Sequence, residues 1–205
     1  MSFLTIYALP FCPIKLIFIR IWYIMDEKEN RPAKNHIENV KNELDIMQKC
    51  EVYHMIRILF VCHGNICRSP MAQFVLQQMV DNRGLSNQYY IDSAATSTEE
   101  IGNGIHYGTM SIFRQYGIPC TGHRARQMTK RDYAEYDYLI GMDDANIRNM
   151  TRITGGDPDH KIRKLLEFAG SSRAIADPWY TGEFDITYAD VKEGCEAFLE
   201  YLMGN

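Results

Sequence analysis

Residues 55–205 carry short apolar-rich segments that are separated by stretches with helical periodicity. The clearest short segment is Ile-Arg-Ile-Leu-Phe-Val at residues 56–61, which predicts a buried strand. Three further segments, at residues 89–95, 138–142 and 161–168, also predict strands. Strands that alternate with helices are typical of a parallel sheet with helices on its faces. The pattern therefore predicts an α/β fold with three αβα layers around a four-stranded parallel sheet.

Helical periodicity predicts five helices between and after these strands. In the first helix, Phe74, Val75, Met79 and Val80 form one apolar face, and Gly84 ends the helix. A helix-capping residue, Asp143, similarly marks the start of the fourth helix. The five helices are predicted at residues 70–83, at 107–116, from about residue 129, from residue 143 to about 152, and at 188–202.

The segment Cys-His-Gly-Asn-Ile-Cys-Arg-Ser at residues 62–69 follows directly on the first strand. Ser69 and Pro70 open the next helix, so its free N–H groups and positive dipole end point back into this 62–69 loop. Arg68 adds a planar fork of donors suited to two phosphate oxygens. The same positive surroundings favour the thiolate form of Cys62. The segment therefore predicts a pocket that binds phosphate and holds it against a nucleophile.

The 62–69 loop resembles the phosphate-binding loop of the low-molecular-weight protein tyrosine phosphatases, whose superfamily includes arsenate reductases and arginine phosphatases. Asp177-Pro178-Trp179-Tyr180 resembles the family segment that carries the general acid. Such an acid is needed because an alkoxide or phenoxide leaves more easily when a carboxylic acid supplies a proton. The resemblance covers residues 55–205 and implies an enzyme that hydrolyses phosphotyrosine in protein substrates.

The resemblance also implies roles for individual residues. Cys62 is the expected nucleophile that forms a phosphocysteine, Arg68 is expected to hold phosphate oxygens, and Asp177 is the expected acid. Other residues are expected to form the substrate pocket: His63, Gly64, Asn65, Ile66, Cys67, Ser69, Trp179 and Tyr180. Ser93 and His123 match family residues that support the loop by hydrogen bonds, Ser93 to the side chain of Asn65. No metal or other cofactor is implied.

Two residues inside the loop carry further expectations. Asn65 is expected to adopt a left-handed backbone conformation, which Asn tolerates and which lets successive N–H groups converge on one point. Cys67 matches a family cysteine that forms a reversible disulfide with the nucleophile and shields it from irreversible oxidation. The alternative, a packed and inert thiol, is equally compatible with the sequence.

Several charged residues outside the loop need no functional explanation at this level. Arg124 and Arg126 are most simply interpreted as solvated charges. Asp143 and Asp144 lie at a predicted helix start, where acidic residues are favoured by the helix dipole.

The composition is that of a mildly acidic protein with unpaired thiols. The formal net charge of the 205 residues is −4, so no basic excess points to nucleic acid. The six cysteines have no framework-like spacing, which favours reduced thiols over a disulfide scaffold. Because a catalytic thiol needs a reducing compartment, we expect a cytoplasmic enzyme. The sequence does not predict the oligomeric state.

Residues 1–54 differ from the rest of the chain and are interpreted as an N-terminal extension. Residues 3–25 are apolar but are interrupted by Pro10, Pro13, Lys15 and Arg20, and a central Lys or Arg costs a membrane span roughly 2.5–3.5 kcal/mol. No stable membrane insertion is therefore expected, and the features of a secretory signal are missing. Residues 26–51 are charge-rich, typical of a solvated helix or disorder. Family members commonly begin near Met55, which leaves open whether the natural protein contains the extension.

Three alternatives to a tyrosine phosphatase remain open. Arginine phosphatases of this superfamily carry threonine where this chain has Ile66. An arsenate reductase would relay a disulfide through further cysteines near the end of the third strand, where this chain has Gly141. A non-enzymatic metal site would combine Cys62 and Cys67 with Cys120 and His123, a zinc-like set of ligands, although Arg68 beside Cys67 argues against a bound cation.

Overall fold

The computed structural model of the protein describes residues 55–204. Strand β1 comprises Ile56–Cys62, β2 Tyr89–Ala95, β3 Tyr138–Gly141 and β4 Ile162–Lys164. All neighbouring strands are parallel and follow the order β2-β1-β3-β4. The predicted α/β fold with a four-stranded parallel sheet is confirmed. The predictions for residues 1–54 lie outside the described residues, and the division of the chain at residue 54 stays a prediction.

The helices lie between and after the strands. They are α1 Arg68–Asn82, α2 Tyr107–Tyr116, α3 Lys130–Glu135, α4 Asp144–Thr154, α5 Pro178–Thr181 and α6 Phe184–Gly204, with a short 3₁₀ turn at Leu165–Glu167. Glycines in the left-handed conformation end α2 and α4, at Gly117 and Gly155. This conformation costs glycine little because it has no Cβ atom.

The side chains of β1 alternate between two apolar layers. Ile58 and Phe60 pack into the larger layer, which contains residues of α1 and α6. Leu59 and Val61 face the opposite side, where Met150 of α4 completes a smaller layer. A strand with both faces buried reads as a continuous apolar run, which is why β1 is so clear in the sequence.

The structure corrects two element boundaries and adds one helix. Strand β4 ends at Lys164 rather than at residue 168, because its partner β3 ends at Gly141, which pairs with Lys164. Leu165 and Leu166 are buried in a 3₁₀ turn instead. The last helix begins at Phe184, four residues before the predicted start, and α5 is a short helix that the sequence pattern did not predict.

The part of the chain that the structure describes contains no helix that is long and apolar enough to cross a membrane.

Candidate active site

The 62–69 loop lies where the central strand β1 passes into α1. Its neighbours β2 and β3 run parallel to β1, so their carboxyl ends meet the loop at one edge of the sheet. Cys62 and Cys67 are buried, and α1 begins at Arg68 without a side-chain capping hydrogen bond from Cys67. The first N–H groups of α1 therefore remain directed towards the loop.

Asn65 fixes the shape of the loop through its backbone conformation and its side-chain hydrogen bonds. Its φ of 60° is the left-handed conformation predicted from the sequence, and its side chain is fully buried. The amide Nδ2 donates to the hydroxyls of Ser69 at 2.9 Å and Ser93 at 2.8 Å. The backbone N–H of Arg126 donates to Oδ1 at 3.1 Å. Because a backbone N–H can only donate, this contact settles which side of the amide is oxygen.

The network continues from Asn65 to Gln73 of α1. The Ser93 hydroxyl accepts from Asn65 and donates to Oε1 of Gln73 at 2.6 Å. His123 reaches the backbone carbonyl of Asn65 through Nε2 at 2.8 Å. Since a carbonyl only accepts, Nε2 carries the proton. Burial lowers the pKa of His123, and the hydrogen bond to Asn65 offsets only part of this effect.

Two groups of the loop lie within hydrogen-bond distance of the Cys62 sulfur. The Ser69 hydroxyl lies 3.1 Å from Cys62 Sγ, and the N–H of Asn65 lies 3.3 Å from it. Ser69 already accepts from Asn65, and its single proton can be donated either to the sulfur or to the carbonyl of Ala94, which lies 3.3 Å away. Donors of this kind stabilise a thiolate.

Arg68 lies beneath the loop, with 2% of its surface exposed. One terminal nitrogen donates to Asp143 at 2.6 Å and to the carbonyl of Ile175 at 3.2 Å, and the other pairs with Asp177. Nε has no partner among the described residues. Burial alone would lower the pKa of Arg68, but the negative charges of Cys62, Asp177 and Asp143 outweigh it and raise the pKa above its ordinary value.

Asp177 lies at the N-cap of α5, opposite the loop. Its Oδ1 accepts from the backbone N–H of Trp179 at 3.2 Å, and its Oδ2 accepts from Arg68. Pro178 occupies the first helical position, where its missing N–H costs nothing. The short helix thus fixes a carboxyl group beside the guanidinium of Arg68.

A cavity of about 110 Å³ opens above Cys62. Its lining consists of Cys62, His63, Gly64, Ile66, Cys67, Glu99, Glu100, Asp177, Trp179 and Tyr180. Trp179 is 58% exposed and Tyr180 is 83% exposed, so both stand at the mouth. Asn65, Arg68 and Ser69 are buried beneath this lining. The cavity thus joins the buried sulfur to solvent between aromatic walls.

Cys67 is buried beside the nucleophile candidate. Burial raises the pKa of its thiol to about 12, and the negative charges of Cys62 and Asp177 act in the same direction. Cys67 is therefore a protonated thiol near neutral pH, whereas the proposed nucleophile Cys62 would have to be a thiolate to attack phosphorus.

Several functional contacts were missed by sequence reasoning. Arg126 is not a simple solvated charge: its guanidinium pairs with Asp92 at 2.9 Å and with Asp132 at 3.0 Å, while its N–H holds Asn65. That prediction was wrong, whereas Arg124 is exposed as expected. Asp143 does cap α4, by accepting from Asn146, but it also pairs with Arg68.

Glu99 and Glu100 were not identified individually, although the 96–107 segment that carries them was expected to shape the pocket wall. They lie in the segment between β2 and α2 and line the cavity. The sequence offered a usable signal for Asp143, since it lies two residues after β3 and the ends of parallel strands meet at one edge. It gave none for the two glutamates, which lie in a loop without a recognisable motif.

Comparison with known proteins agrees with this geometry. The family model described as low molecular weight phosphotyrosine protein phosphatase matches residues 57–205. The chain belongs to this family. It is 40% identical over 150 residues to the human low molecular weight phosphotyrosine protein phosphatase. The match covers 70% of this chain and 93% of the human protein.

Solved structures of family members have the same fold. The crystal structure of YfkJ from Bacillus subtilis is 39% identical, with a TM-score of 0.71, and the match covers 73% of this chain and 96% of YfkJ. A Drosophila arginine phosphatase is 30% identical, with a TM-score of 0.66 and coverage of 72% and 98%. The expected membership of a family of cysteine-dependent phosphatases, and thus of hydrolases, is confirmed.

The geometry of the chain favours neither a metal site nor an arsenate reductase with a disulfide relay. Residues 55–204 contain no group of three or more His, Cys, Asp or Glu side chains that could hold a metal ion. At Gly141, an added Cβ atom would lie 2.9 Å from Ile147 and 3.2 Å from Asn146, so a cysteine could not be accommodated without shifts. A disulfide relay through this position is therefore not supported.

Proposed function

We propose that this protein hydrolyses phosphotyrosine in protein substrates through a phosphocysteine intermediate on Cys62. The observation that carries the proposal is the Cys62 sulfur at the base of the cavity, within hydrogen-bond distance of Ser69 and Asn65 and close enough to the Arg68 guanidinium for their charges to interact. A thiolate held by donors and faced by a carboxyl group is suited to a displacement at phosphorus.

In the first step, the Cys62 thiolate attacks phosphorus in line, and the bond between phosphorus and the phenolic oxygen breaks. The N–H groups of the loop and the guanidinium of Arg68 bind the remaining phosphate oxygens. The phosphoryl group takes the Arg68 contact that Asp177 makes in the structure, so the carboxyl group is free to reach the leaving oxygen. Asp177, acting as a carboxylic acid whose proton the second step restores, then gives that proton to the phenoxide, and tyrosine leaves.

In the second step, a water molecule attacks phosphorus and transfers its proton to Asp177. The sulfur–phosphorus bond breaks, inorganic phosphate leaves, and the Cys62 thiolate is regenerated. The residues proposed to form the substrate pocket are those of the 62–69 loop together with Trp179 and Tyr180. Because the mechanism needs a reduced thiol, we also propose that the enzyme works in the cytoplasm.

We infer a preference for phosphotyrosine over phosphoarginine from Ile66. This side chain is buried and lines the cavity, so it offers apolar contact to a phenyl ring but no partner to a guanidinium. An N–H group that loses water without a partner costs roughly 1–3 kcal/mol. The exposed rings of Trp179 and Tyr180 would flank the same aromatic ring.

The proposal is tested by comparing phosphotyrosine, phosphoserine and phosphoarginine peptides and arsenate as substrates of the full chain and of Cys62→Ser. We expect the wild type to hydrolyse phosphotyrosine with the highest kcat/KM. The variant should lose turnover yet still bind vanadate, because the loop N–H groups and Arg68 remain. Substantial turnover by Cys62→Ser would exclude Cys62 as the nucleophile, and equal or faster phosphoarginine hydrolysis would exclude the inferred preference.

A further inference from the structure

Two adjacent carboxylates form one wall of the cavity. Glu99 and Glu100 lie in the segment that joins β2 to α2, and both contribute to the cavity lining. The mechanism proposed above uses neither of them. They are therefore candidates for contacts with the parts of a substrate that lie outside the phosphate.

The backbone of this segment is fixed to the 62–69 loop. The N–H of Thr96 donates to the carbonyl of Cys62 at 2.8 Å, and the N–H of Ser97 donates to that of His63 at 3.0 Å. At its far end, the N–H of Gly102 donates to Ala125 at 2.8 Å. Hydrogen bonds at both ends therefore fix the backbone that carries the two glutamates beside the 62–69 loop.

Each carboxylate is also oriented by its own side-chain contact. His63 donates from Nε2 to Glu99 at 3.0 Å, and the amide of Asn103 donates to Glu100 at 2.7 Å. The side chain of Glu100 packs over Gly64, where an added Cβ atom would lie 3.1 Å from Glu100 Cγ. A neutral imidazole and an amide can both make these bonds, so neither contact requires the glutamate charge to be neutralised.

The charges at the cavity are strongly unequal. Of the residues that line it, Glu99 and Glu100 are acidic residues that the mechanism does not use, Asp177 is the proposed acid, His63 is hydrogen-bonded to Glu99, and none is Lys or Arg. The nearby guanidinium of Arg68 is buried and already paired with Asp143 and Asp177. A phosphate dianion that approaches the cavity therefore passes two carboxylates that oppose its charge.

We propose that Glu99 and Glu100 select phosphotyrosine sites that have Lys or Arg next to the phosphotyrosine. This inference rests on the proposed function and narrows its substrate class. A cationic side chain beside the phosphotyrosine offsets the repulsion and pairs with the glutamates, whereas an acidic neighbour adds to the repulsion. Because the two glutamates are partly exposed, each contributes a modest factor that salt reduces.

The test compares two phosphotyrosine peptides of equal length that carry either Lys or Glu on both sides of the phosphotyrosine. For the full chain at low salt, we expect kcat/KM to be about five- to tenfold higher for the Lys peptide. Glu99→Gln and Glu100→Gln should each lower this ratio about two- to fivefold, and Glu99→Lys should reverse the preference. Raising the salt to roughly 0.5 M should bring the wild-type ratio towards one, since the Debye length becomes short.

Glu196→Gln is the matched control, because it removes the same charge from α6 at a residue that does not line the cavity. It should leave the ratio of the two peptides at its wild-type value. A wild-type ratio near one at low salt, or a ratio that Glu99→Gln and Glu100→Gln leave unaltered, would overturn the inference while leaving phosphotyrosine hydrolysis intact.

If the protein does not hydrolyse phosphotyrosine at all, the experiment gives a different result from the one that would overturn the inference. In that case the wild type hydrolyses neither peptide, and the equilibrium binding of both peptides to Cys62→Ser, measured by fluorescence anisotropy, decides the inference on its own. Tighter binding of the Lys peptide supports it, and equal binding overturns it.

Discussion

The base of the cavity and its mouth are built from different kinds of contact. The base, defined as Cys62, Asn65, Arg68 and Ser69, is buried, and its polar side-chain atoms other than Arg68 Nε have partners, several of them from distant parts of the chain. The mouth, defined as His63, Glu99, Glu100, Trp179 and Tyr180, is largely exposed and makes few contacts. From this difference we infer that the fold holds the groups of the proposed chemistry in place, whereas the exposed side chains of the mouth can vary with the substrate.

The free-energy cost of burying a polar group without a partner explains why the residues of the base tolerate little change. A buried polar group that loses its partner costs roughly 1–3 kcal/mol, and more if it is charged. Asn65 alone joins Ser69, Ser93, His123 and Arg126. Any change in the base should therefore affect all substrates alike, whereas a change at the mouth should alter their relative rates. The following predictions test this division.

Asp177→Asn should have the largest effect. An amide cannot supply the proton that the leaving group needs, so kcat should fall by roughly 10²–10⁴ for a phosphotyrosine peptide with its poor leaving group. The loss should be much smaller for an aryl phosphate with a strongly activated leaving group. Steady-state kinetics on a series of aryl phosphates would check this, and an equal loss across the series would contradict the acid role.

Asp143→Asn should have the next largest effect. Asp143 orients the buried guanidinium of Arg68 at 2.6 Å, and a hydrogen bond between charged groups contributes roughly 1.5–3 kcal/mol. We expect kcat/KM to fall about tenfold or more for every phosphate ester, with the dependence on the leaving group unaltered.

Asp144→Asn is a suitable control for that experiment. Asp144 is the adjacent residue, but it pairs with Lys164 and its side chain is 70% exposed. A gain in activity for Asp143→Asn would show instead that its carboxylate competes with phosphate for Arg68.

Cys67→Ser should have a smaller effect, limited to oxidation. Peroxide converts the Cys62 thiolate into a sulfenic acid, and the Cys67 thiol attacks that sulfur, forms a disulfide and releases water. A thiol then restores activity. Without Cys67 the sulfenic acid is oxidised further, so the activity recovered with dithiothreitol should fall by about half or more. Cys120→Ser, a change outside the loop, should regain as much activity as the wild type. If Cys67→Ser also regained full activity with dithiothreitol, Cys67 would have only a packing role.

Trp179→Ala should have the smallest effect. The indole is 58% exposed at the mouth, and contact between two aromatic rings contributes about 0.5–1.5 kcal/mol. We therefore expect KM for a phosphotyrosine peptide to rise about threefold with little change in kcat. Tyr107→Ala removes a ring that is 80% exposed and does not line the cavity, and its KM should stay near the wild-type value. A large fall in kcat for Trp179→Ala would place the indole in the base rather than the mouth.

The sequence predicted the contiguous parts of the site well. The strand, the loop and the start of α1 are adjacent in the chain, and the left-handed Asn65 follows from local conformational preference. The partners of these residues were harder to predict. Asp143 reaches the loop because β3 flanks β1, and Arg126 reaches it because its segment pairs with Ala95 at the end of β2; both arrangements are tertiary properties. The end of β4 was missed for the same reason, since it depends on where β3 stops.

The contacts of Asn65 have a consequence for protein engineering. Its partners come from the loop itself, from β2 and from residues 123–126, and Ser93 is in turn held by Gln73 of α1. An eight-residue copy of the loop grafted between a strand and a helix of another scaffold would carry the thiol and the arginine but would lack this support. The transplant would have to include the neighbouring strand and the 123–126 segment before the grafted thiol could be expected to meet a phosphate in the same geometry.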